Sequence, residues 1–113
     1  MTEIEIQNKS VIIVDNMNRL IKGMLERYRK NSTLDYDFAI EEGQKYYKIV
    51  NGYVEDGVLK QRGVHAFVDK QTGDIYKPAS WRGPAKGARA NVLNDVEKLE
   101  KFADWAGSYL YRR

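Results

Sequence analysis

A tight-turn sequence at residues 71–74, Gln-Thr-Gly-Asp, lies between two strand-like stretches and limits the middle of this chain to antiparallel β-structure. Residues 63–69 alternate in the manner of a strand, which places His65 on the face opposite the alanine and the two valines. Residues 75–77, which follow the turn, are predicted to form the second strand of the hairpin. Pro78 ends that strand, because proline has no amide hydrogen to donate to a β-ladder. The pattern therefore predicts a hairpin.

Two further strands are predicted before this hairpin. Tyr36, Phe38 and Ile40 alternate with residues that include the acids Asp35, Asp37 and Glu41, and residues 45–50 form a second β-rich run. The stretch 51–62 contains two turn signals, Asn51-Gly52 and Asp56-Gly57. It predicts either an irregular loop or a long hairpin arm.

Helical periodicity marks both ends of the chain. At the N-terminal end, apolar residues recur at spacings of three and four and predict an amphipathic helix over about residues 11–30. This stripe consists of Ile13, Met17, Leu20, Ile21, Met24 and Tyr28. Residues 2–14 remain ambiguous, because their alternation and their β-branched run also fit a strand.

The C-terminal helix is predicted from its capping residues. Asn94 is a good N-cap, Glu97 stands three residues later as in a capping box, and Gly107 is the predicted stop. Its apolar stripe comprises Val96, Leu99, Phe102, Ala103 and Ala106. The predicted fold class is α+β: an antiparallel sheet of three to four strands, flanked by an N-terminal and a C-terminal helix, in a single domain over residues 1–113.

Composition narrows the possible chemistry. The chain has 113 residues and no cysteine, which excludes disulfides, thiolate catalysis and cysteine-type zinc sites. His65 is the single histidine, so a multi-histidine metal centre is excluded as well. Asp69 and Asp74 flank the turn and could hold a divalent cation, a hypothesis that ranks below ligand binding by the basic residues that follow. We expect a cytosolic, non-enzymatic protein with no cofactor and no membrane partner.

A basic stretch follows the hairpin and is the candidate functional segment. Residues 77–94 contain four basic residues and no acidic one, although the net charge of the whole chain is only +3. Pro84 is typical of a first helical position, so a short helix over about residues 84–91 is predicted, with Lys86 and Arg89 on one face. A helix N-terminus beside basic side chains favours phosphate, and an adjacent tryptophan offers a flat surface for a base. The predicted ligand-binding residues are Lys77, Trp81, Arg82, Lys86 and Arg89.

A purely structural interpretation of this stretch competes with the functional one. Its basic residues could pair with acids such as Asp69 and Asp74, and Trp81 could fill a gap between the sheet and a helix. No GxGxxG or GxxxxGK[ST] motif is present to support a mononucleotide-binding fold.

Two resemblances add to these observations. The segments EEGQKYYKIV and HAFVDKQTGDIYKPASWRGPAKGARANV, within about residues 41–92, resemble a family of small bacteriophage proteins in which a TGD turn and a KPASW segment precede a PAK-x-AR loop. That resemblance implies a phage origin, and small non-enzymatic phage proteins can act by sequestering the nucleotide signals of host defence. The order of helix, three strands and basic helix start is also similar to the double-stranded RNA-binding domain, in which Lys86 and Arg89 would grip phosphates.

The expected function is therefore the binding of a nucleotide or another phosphate-bearing ligand. Nucleic-acid binding, to RNA or DNA, is one alternative. A structural or partner-binding phage protein is another, in which exposed tyrosines and apolar patches meet another protein or support a homo-oligomer.

Overall fold

The computed structural model describes residues 3–29, 35–104 and 106–111, and within the first helix it describes the side chains from Asn8 to Tyr28. The elements in chain order are helix α1 (Glu3–Arg29), strands β1 (Tyr36–Glu42), β2 (Tyr46–Glu55), β3 (Val58–Asp69), β4 (Asp74–Tyr76) and β5 (Ala90–Asn91), helix α2 (Val96–Phe102) and a short 3₁₀ helix (Ser108–Leu110).

The sheet is an antiparallel meander in which every strand pairs with its neighbour in sequence, in the order β1-β2-β3-β4-β5. The α+β class is confirmed, with helices from both ends of the chain flanking the sheet. The sheet has five strands, one more than the predicted upper count. The additional strand, β5, is only two residues long, so no alternating pattern could mark it in the sequence.

Helix α1 packs its apolar stripe against one face of the sheet. Ile13, Met17, Leu20 and Met24 have no exposed surface and form one core cluster with residues of strands β1 to β4 and of α2. The helix begins at Glu3, earlier than predicted, so the ambiguous N-terminal stretch is helical rather than extended from Glu3 onward, and residue 2 lies outside the described residues. No described helix is long and apolar enough to cross a lipid bilayer.

The β2–β3 hairpin turns at Asp56-Gly57, where both residues have positive φ angles of 54° and 76°, as a type I′ turn requires. The alternative turn signal, Asn51-Gly52, lies inside β2 and makes no turn. Residues 51–62 are therefore long hairpin arms, and the prediction of an irregular loop there is wrong.

A bulge in β3 redirects the single histidine. Ile49 pairs with Ala66 and the next residue, Val50, pairs with Val64, so His65 is the extra residue between these two pairs. The ring of His65 lies 5.2 Å from that of Phe38, which belongs to the same core cluster as Ala66 and Val68, so the predicted placement of His65 on the face opposite these two residues is wrong. A strict alternation cannot anticipate a bulge, because the extra residue changes the face.

Helix α2 begins one residue later than the capping pattern predicts. Asp95, not Asn94, occupies the N-cap position and makes no side-chain capping bond, because its Oδ2 accepts a 2.9 Å hydrogen bond from the backbone N–H of Asn91. The helix ends at Phe102 rather than near Gly107, which instead takes the N-cap position of the 3₁₀ helix with a φ of 80°. Only part of the predicted stripe is therefore buried.

Candidate ligand-binding site

The basic stretch folds as an extension of the β4–β5 hairpin, not as a helix. Arg89 N–H donates to the carbonyl of Ile75 at 2.7 Å, and the N–H of Ala85 donates to the carbonyl of Lys77 at 2.9 Å. Pro78 and Pro84 face each other in an isolated antiparallel bridge. The helix predicted from Pro84 is wrong. Residues 84–89 instead form hydrogen bonds and a β-bridge with residues 75–78, as the second arm of the hairpin.

Residues 79–83 form the tip of this extension and expose the tryptophan. The N–H groups of Ala79 and Ser80 both donate to the carbonyl of Gly83, at 3.1 and 3.2 Å. Ser80 Oγ accepts from the N–H of Arg82 at 3.2 Å, which fixes the backbone on either side of Trp81. Trp81 is 44% exposed, so it does not fill a gap in the core.

Two cations from the neighbouring strands lie over the Trp81 ring. Lys48 Nζ on β2 is 4.2 Å from the ring centroid, and the guanidinium carbon of Arg62 on β3 is 5.4 Å from it. At these distances the negative face of the indole attracts both cations. The contacts hold an exposed aromatic ring in a defined orientation beside positive charge.

Arg82 lines a cavity of about 260 Å³ next to this ring, together with Lys48 of β2 and Lys45, which directly precedes that strand. Glu41 and Glu42 also line the cavity, but each is engaged: Glu41 forms an ion pair with Arg62, and Glu42 forms one with Lys70 at 2.6 Å. Within residues 3–29, 35–104 and 106–111, no carboxylate forms an ion pair with Lys45, Lys48 or Arg82. The cavity therefore retains uncompensated positive charge.

Two aromatic rings, those of Tyr46 and Phe67, pack beside the cations of this surface. Phe67 on β3 is opposite Lys48 in the sheet register, is only 3% exposed, and lies with its centroid 6.0 Å from that of Tyr46. Lys48 Nζ is 5.9 Å from the centroid of the Phe67 ring. Lys48 thus extends between a buried ring and the exposed Trp81, and its stem is held by packing rather than free in solvent.

The other predicted ligand-binding residues lie in different places. Lys77 Nζ is 5.0 Å from the centroid of the Tyr111 ring, near the C-terminal end. Lys86 is exposed on the returning arm of the hairpin. Arg89 lines a separate cavity beside α2. The structure brings Trp81 and Arg82 together and separates them from these three cations.

Sequence reasoning did not identify Lys45, Lys48 and Arg62 as part of this surface. Lys45 and Lys48 belong to a stretch that predicts only a strand, and Arg62 falls in the stretch whose structure the sequence left open. The signal that could have found Lys48 is its two-residue spacing from Tyr46, because residues i and i+2 of a strand share a face. Arg62 could be placed only after the Asp56-Gly57 turn was known.

The turn carboxylates are engaged with their own backbone and with Asn91. Asp69 Oδ1 accepts from the N–H groups of Gln71 and Thr72 at 2.7 and 3.0 Å, and Asp74 Oδ1 accepts from Asn91 Nδ2 at 2.9 Å. Among the residues that the structure describes, no group of three or more His, Asp or Glu side chains could hold a metal ion. Within the same residues, neither aspartate forms an ion pair with the basic stretch.

The fold and this surface define a small α+β protein that presents a cationic, aromatic hairpin tip on a meander sheet. The chain belongs to a family of unknown function (DUF7717), whose sequence profile matches residues 1–112. No curated protein and no solved structure shows significant similarity to it.

Proposed function

We propose that this protein binds a phosphate-bearing ligand of the nucleotide class at the tip surface, defined as Trp81, Arg82, Lys45, Lys48 and Arg62. The observation that carries the proposal is the position of Lys48 and Arg62 against the half-exposed Trp81 ring, at 4.2 and 5.4 Å. A base would stack on the free part of the indole, and the phosphates would meet the cations around it.

The charge balance supports an anionic ligand. Lys45, Lys48 and Arg82 have no ion-pair partner among the described residues, although two glutamates lie in the same cavity. Those glutamates form ion pairs with Arg62 and Lys70 instead, so they do not neutralise the three cations. A phosphate group in the cavity would meet three cations that have no carboxylate partner among the described residues, and Arg82 offers the planar fork that suits its oxygens.

Binding, rather than catalysis, is the proposed activity. His65 is buried and hydrogen-bonded through Nε2 to the Tyr109 hydroxyl at 2.7 Å, so it is committed within the core. The tip surface contains no carboxylate, and the two glutamates of the adjoining cavity, Glu41 and Glu42, form ion pairs with Arg62 and Lys70. Sequestration of a host-defence nucleotide by a phage protein is the biological role that the sequence resemblance would give to such binding.

A single-stranded nucleic acid is the second candidate ligand. Four cations come from separate parts of the chain: Lys45 directly before β2, Lys48 on β2, Arg62 on β3 and Arg82 at the hairpin tip. Such a spread suits a chain of phosphates as well as one nucleotide. The double-stranded RNA mode lacks support, because no helix begins at Pro84 to present Lys86 and Arg89.

Thermal unfolding in the presence of ATP, cyclic AMP and cyclic di-AMP tests the nucleotide proposal. We expect at least one of them to raise the melting temperature of the wild type, and we expect Arg82→Ala and Trp81→Ala to reduce that increase while the unliganded variants melt as the wild type does. Lys22→Ala, on the exposed side of α1, is the matched loss of one positive charge and should respond like the wild type. The proposal fails if no nucleotide at millimolar concentration stabilises the wild type.

A titration with oligo(dT) and oligo(U) at two salt concentrations separates the second candidate from the first. Strand binding should weaken with salt, with a log–log slope of about −0.7 for each phosphate neutralised. Binding that is insensitive to salt, or absent at low salt, would exclude a nucleic-acid ligand.

A further inference from the structure

Strand β3 has a second bulge, which includes one cation of the tip surface. Two neighbouring residue pairs of β2 and β3 are separated by one residue on β2, Gly52, and by two residues on β3, Gln61 and Arg62. A bulge of two residues against one bends its strand and increases the local twist. Arg62 is therefore placed by a distorted strand and not by a regular one.

The first residue of this bulge has a strained backbone. Gln61 has a φ of 50°, in the left-handed region that residues with a Cβ rarely adopt. When the first residue of a bulge has a positive φ, it is usually glycine. The Gln61 side chain is exposed, so core packing does not account for the strain. Strain of this kind is concentrated at functional sites.

Two glycines give the bulge the space that it needs. A Cβ at Gly52 would lie 2.6 Å from the carbonyl oxygen of Lys60. A Cβ at Gly63 would lie 2.9 Å from Asn51 Oδ1. A side chain at either position would force the two strands apart. The Asn51-Gly52 pair, which makes no turn, therefore allows β2 and β3 to approach closely at the bulge.

The bend brings Arg62 to the same ring as Lys48. Gly52, opposite the bulge, is four residues from Lys48 along β2, which is roughly 13 Å in a straight strand at about 3.3 Å per residue. Lys48 Nζ and the Arg62 guanidinium carbon nevertheless lie 4.2 and 5.4 Å from the centroid of the Trp81 ring. Arg62 also forms an ion pair with Glu41, which is opposite Lys48 in the register. Both contacts direct Arg62 back along the sheet toward the level of Lys48.

We propose that the bulge at Gln61 positions Arg62 against Trp81 and Glu41, so that the tip surface is already formed in the free protein. Gln61 acts here through its backbone conformation and not through its side chain. The consequence for binding is preorganisation, because a cation that is already held in place loses less side-chain entropy when a phosphate binds. This consequence rests on the nucleotide proposal, whereas the position of Arg62 does not.

Proton NMR of the full chain tests the position of Arg62 without a ligand. Protons that lie over the face of an indole ring resonate upfield, so the Cδ protons of Arg62 should move downfield in Trp81→Leu, and this difference calibrates the contact. Gln61→Gly and Gln61→Val are a matched pair: both remove the side chain, but only glycine adopts a positive φ without strain. We expect Gln61→Gly to keep the upfield shift and Gln61→Val to lose most of it.

Two further variants separate position from stability. Deletion of Gln61 makes β3 regular and should also abolish most of the shift, which keeps the test decisive if Gln61→Val does not fold. Lys60→Ala, at the exposed position before the bulge, should keep the shift. A bulge that served stability alone would change the melting temperature and leave the Arg62 shift of the folded protein unchanged. The proposal is overturned if the shift in Gln61→Val and in the deletion equals that of the wild type.

Nucleotide-induced stabilisation tests the consequence for binding. The ligand is whichever of ATP, cyclic AMP and cyclic di-AMP raises the melting temperature of the wild type most. We expect this rise to be smaller in Gln61→Val than in Gln61→Gly, and smallest in Arg62→Met. Equal rises in the two Gln61 variants would show that the bulge does not contribute to binding. If none of the three stabilises the wild type, the nucleotide proposal fails and preorganisation fails with it, while the NMR result on Arg62 stands.

Discussion

Arg27, in the last turns of α1, donates a 2.9 Å hydrogen bond from Nε to the carbonyl oxygen of Ala103, 76 residues further along the chain. A second nitrogen of the same guanidinium donates to the carbonyl of Glu100 at 2.5 Å. These two carbonyls belong to the end of α2, where helical backbone acceptors have no partner within the helix. One side chain of the first helix therefore caps the second.

Replacing Arg27 with methionine should destabilise the protein by about 2 to 3 kcal/mol, because it leaves the carbonyls at the end of α2 unpaired while keeping the apolar stem. Urea unfolding followed by circular dichroism measures this change. Arg19→Met is the control on the same helix: its ion pair with Glu100, at 2.5 Å, joins two half-exposed side chains and should contribute less than about 1 kcal/mol. Equal losses in the two variants would contradict the capping role.

Gly23→Ala should also destabilise the fold, although alanine is the better helix former by about 1 kcal/mol. A Cβ at position 23 would lie 2.5 Å from the carbonyl oxygen of Glu100, so α1 and α2 would have to move apart. We expect a net loss of about 1 kcal/mol or more, from overpacking against backbone that cannot rotate away. Asn18→Ala, at an exposed position of α1, should instead stabilise by a few tenths of a kcal/mol. Chemical denaturation of both variants decides the matter.

Gly57→Ala tests the turn that sets the β2–β3 register. Position 57 has a φ of 76°, and a Cβ added there would meet no atom within 4 Å, so any loss comes from backbone conformation alone. We expect a loss of about 1 to 2 kcal/mol, the usual cost of a left-handed alanine. Gly83→Ala at the hairpin tip also meets nothing within 4 Å and has no left-handed φ, so its melting temperature should not fall. A tolerated Gly57→Ala would argue against the type I′ turn.

Alkaline pH should weaken the fold through Tyr36. Burial, reinforced by the neighbouring Tyr28, raises the pKa of Tyr36 from 10.0 to about 12. The folded protein therefore holds this proton more tightly than the unfolded chain does. The resulting stabilisation is fully present below about pH 10 and is lost as the pH rises toward about 12.

The measurement is the free energy of unfolding in urea at several values of pH across that interval. Tyr36→Phe removes the titrating group, so its stability should fall less steeply with pH than that of the wild type. Identical slopes in the two proteins would assign the alkaline loss to other groups.

The parts of the fold that could be predicted from sequence are those fixed by local chemistry. The stripe from Ile13 to Tyr28 and the Gly73 turn carry their own periodicity or turn residues, and both are present in the structure. Asn51-Gly52 and Asp56-Gly57 are equally good turn sequences, and only the pairing of whole strands selects the second. Local propensity cannot make that choice, because the deciding contacts are distant in sequence.

The candidate site divides in the same way. Trp81 and Arg82 are adjacent in the chain and remain adjacent at the hairpin tip. Their neighbours Lys48 and Arg62 come from two other strands, so the sequence could not assign them to the surface before the register was known. The basic residues are close in sequence, so they predict a single site. In the folded hairpin, however, Lys77 contacts Tyr111 and Arg89 lies beside α2, away from Trp81 and Arg82 at the tip.

The meander topology has a kinetic consequence. Each strand pairs with the next strand in the chain, so the sheet can form through closure of short loops, whereas the contact from Arg27 to Ala103 closes a long one. We therefore expect the helix–helix contact to form after the folding transition state, so that changes at Arg27 accelerate unfolding and leave the folding rate nearly unchanged. On this expectation the contact between the two helices, and not the hydrogen bonds between strands, would set how long the folded state lasts.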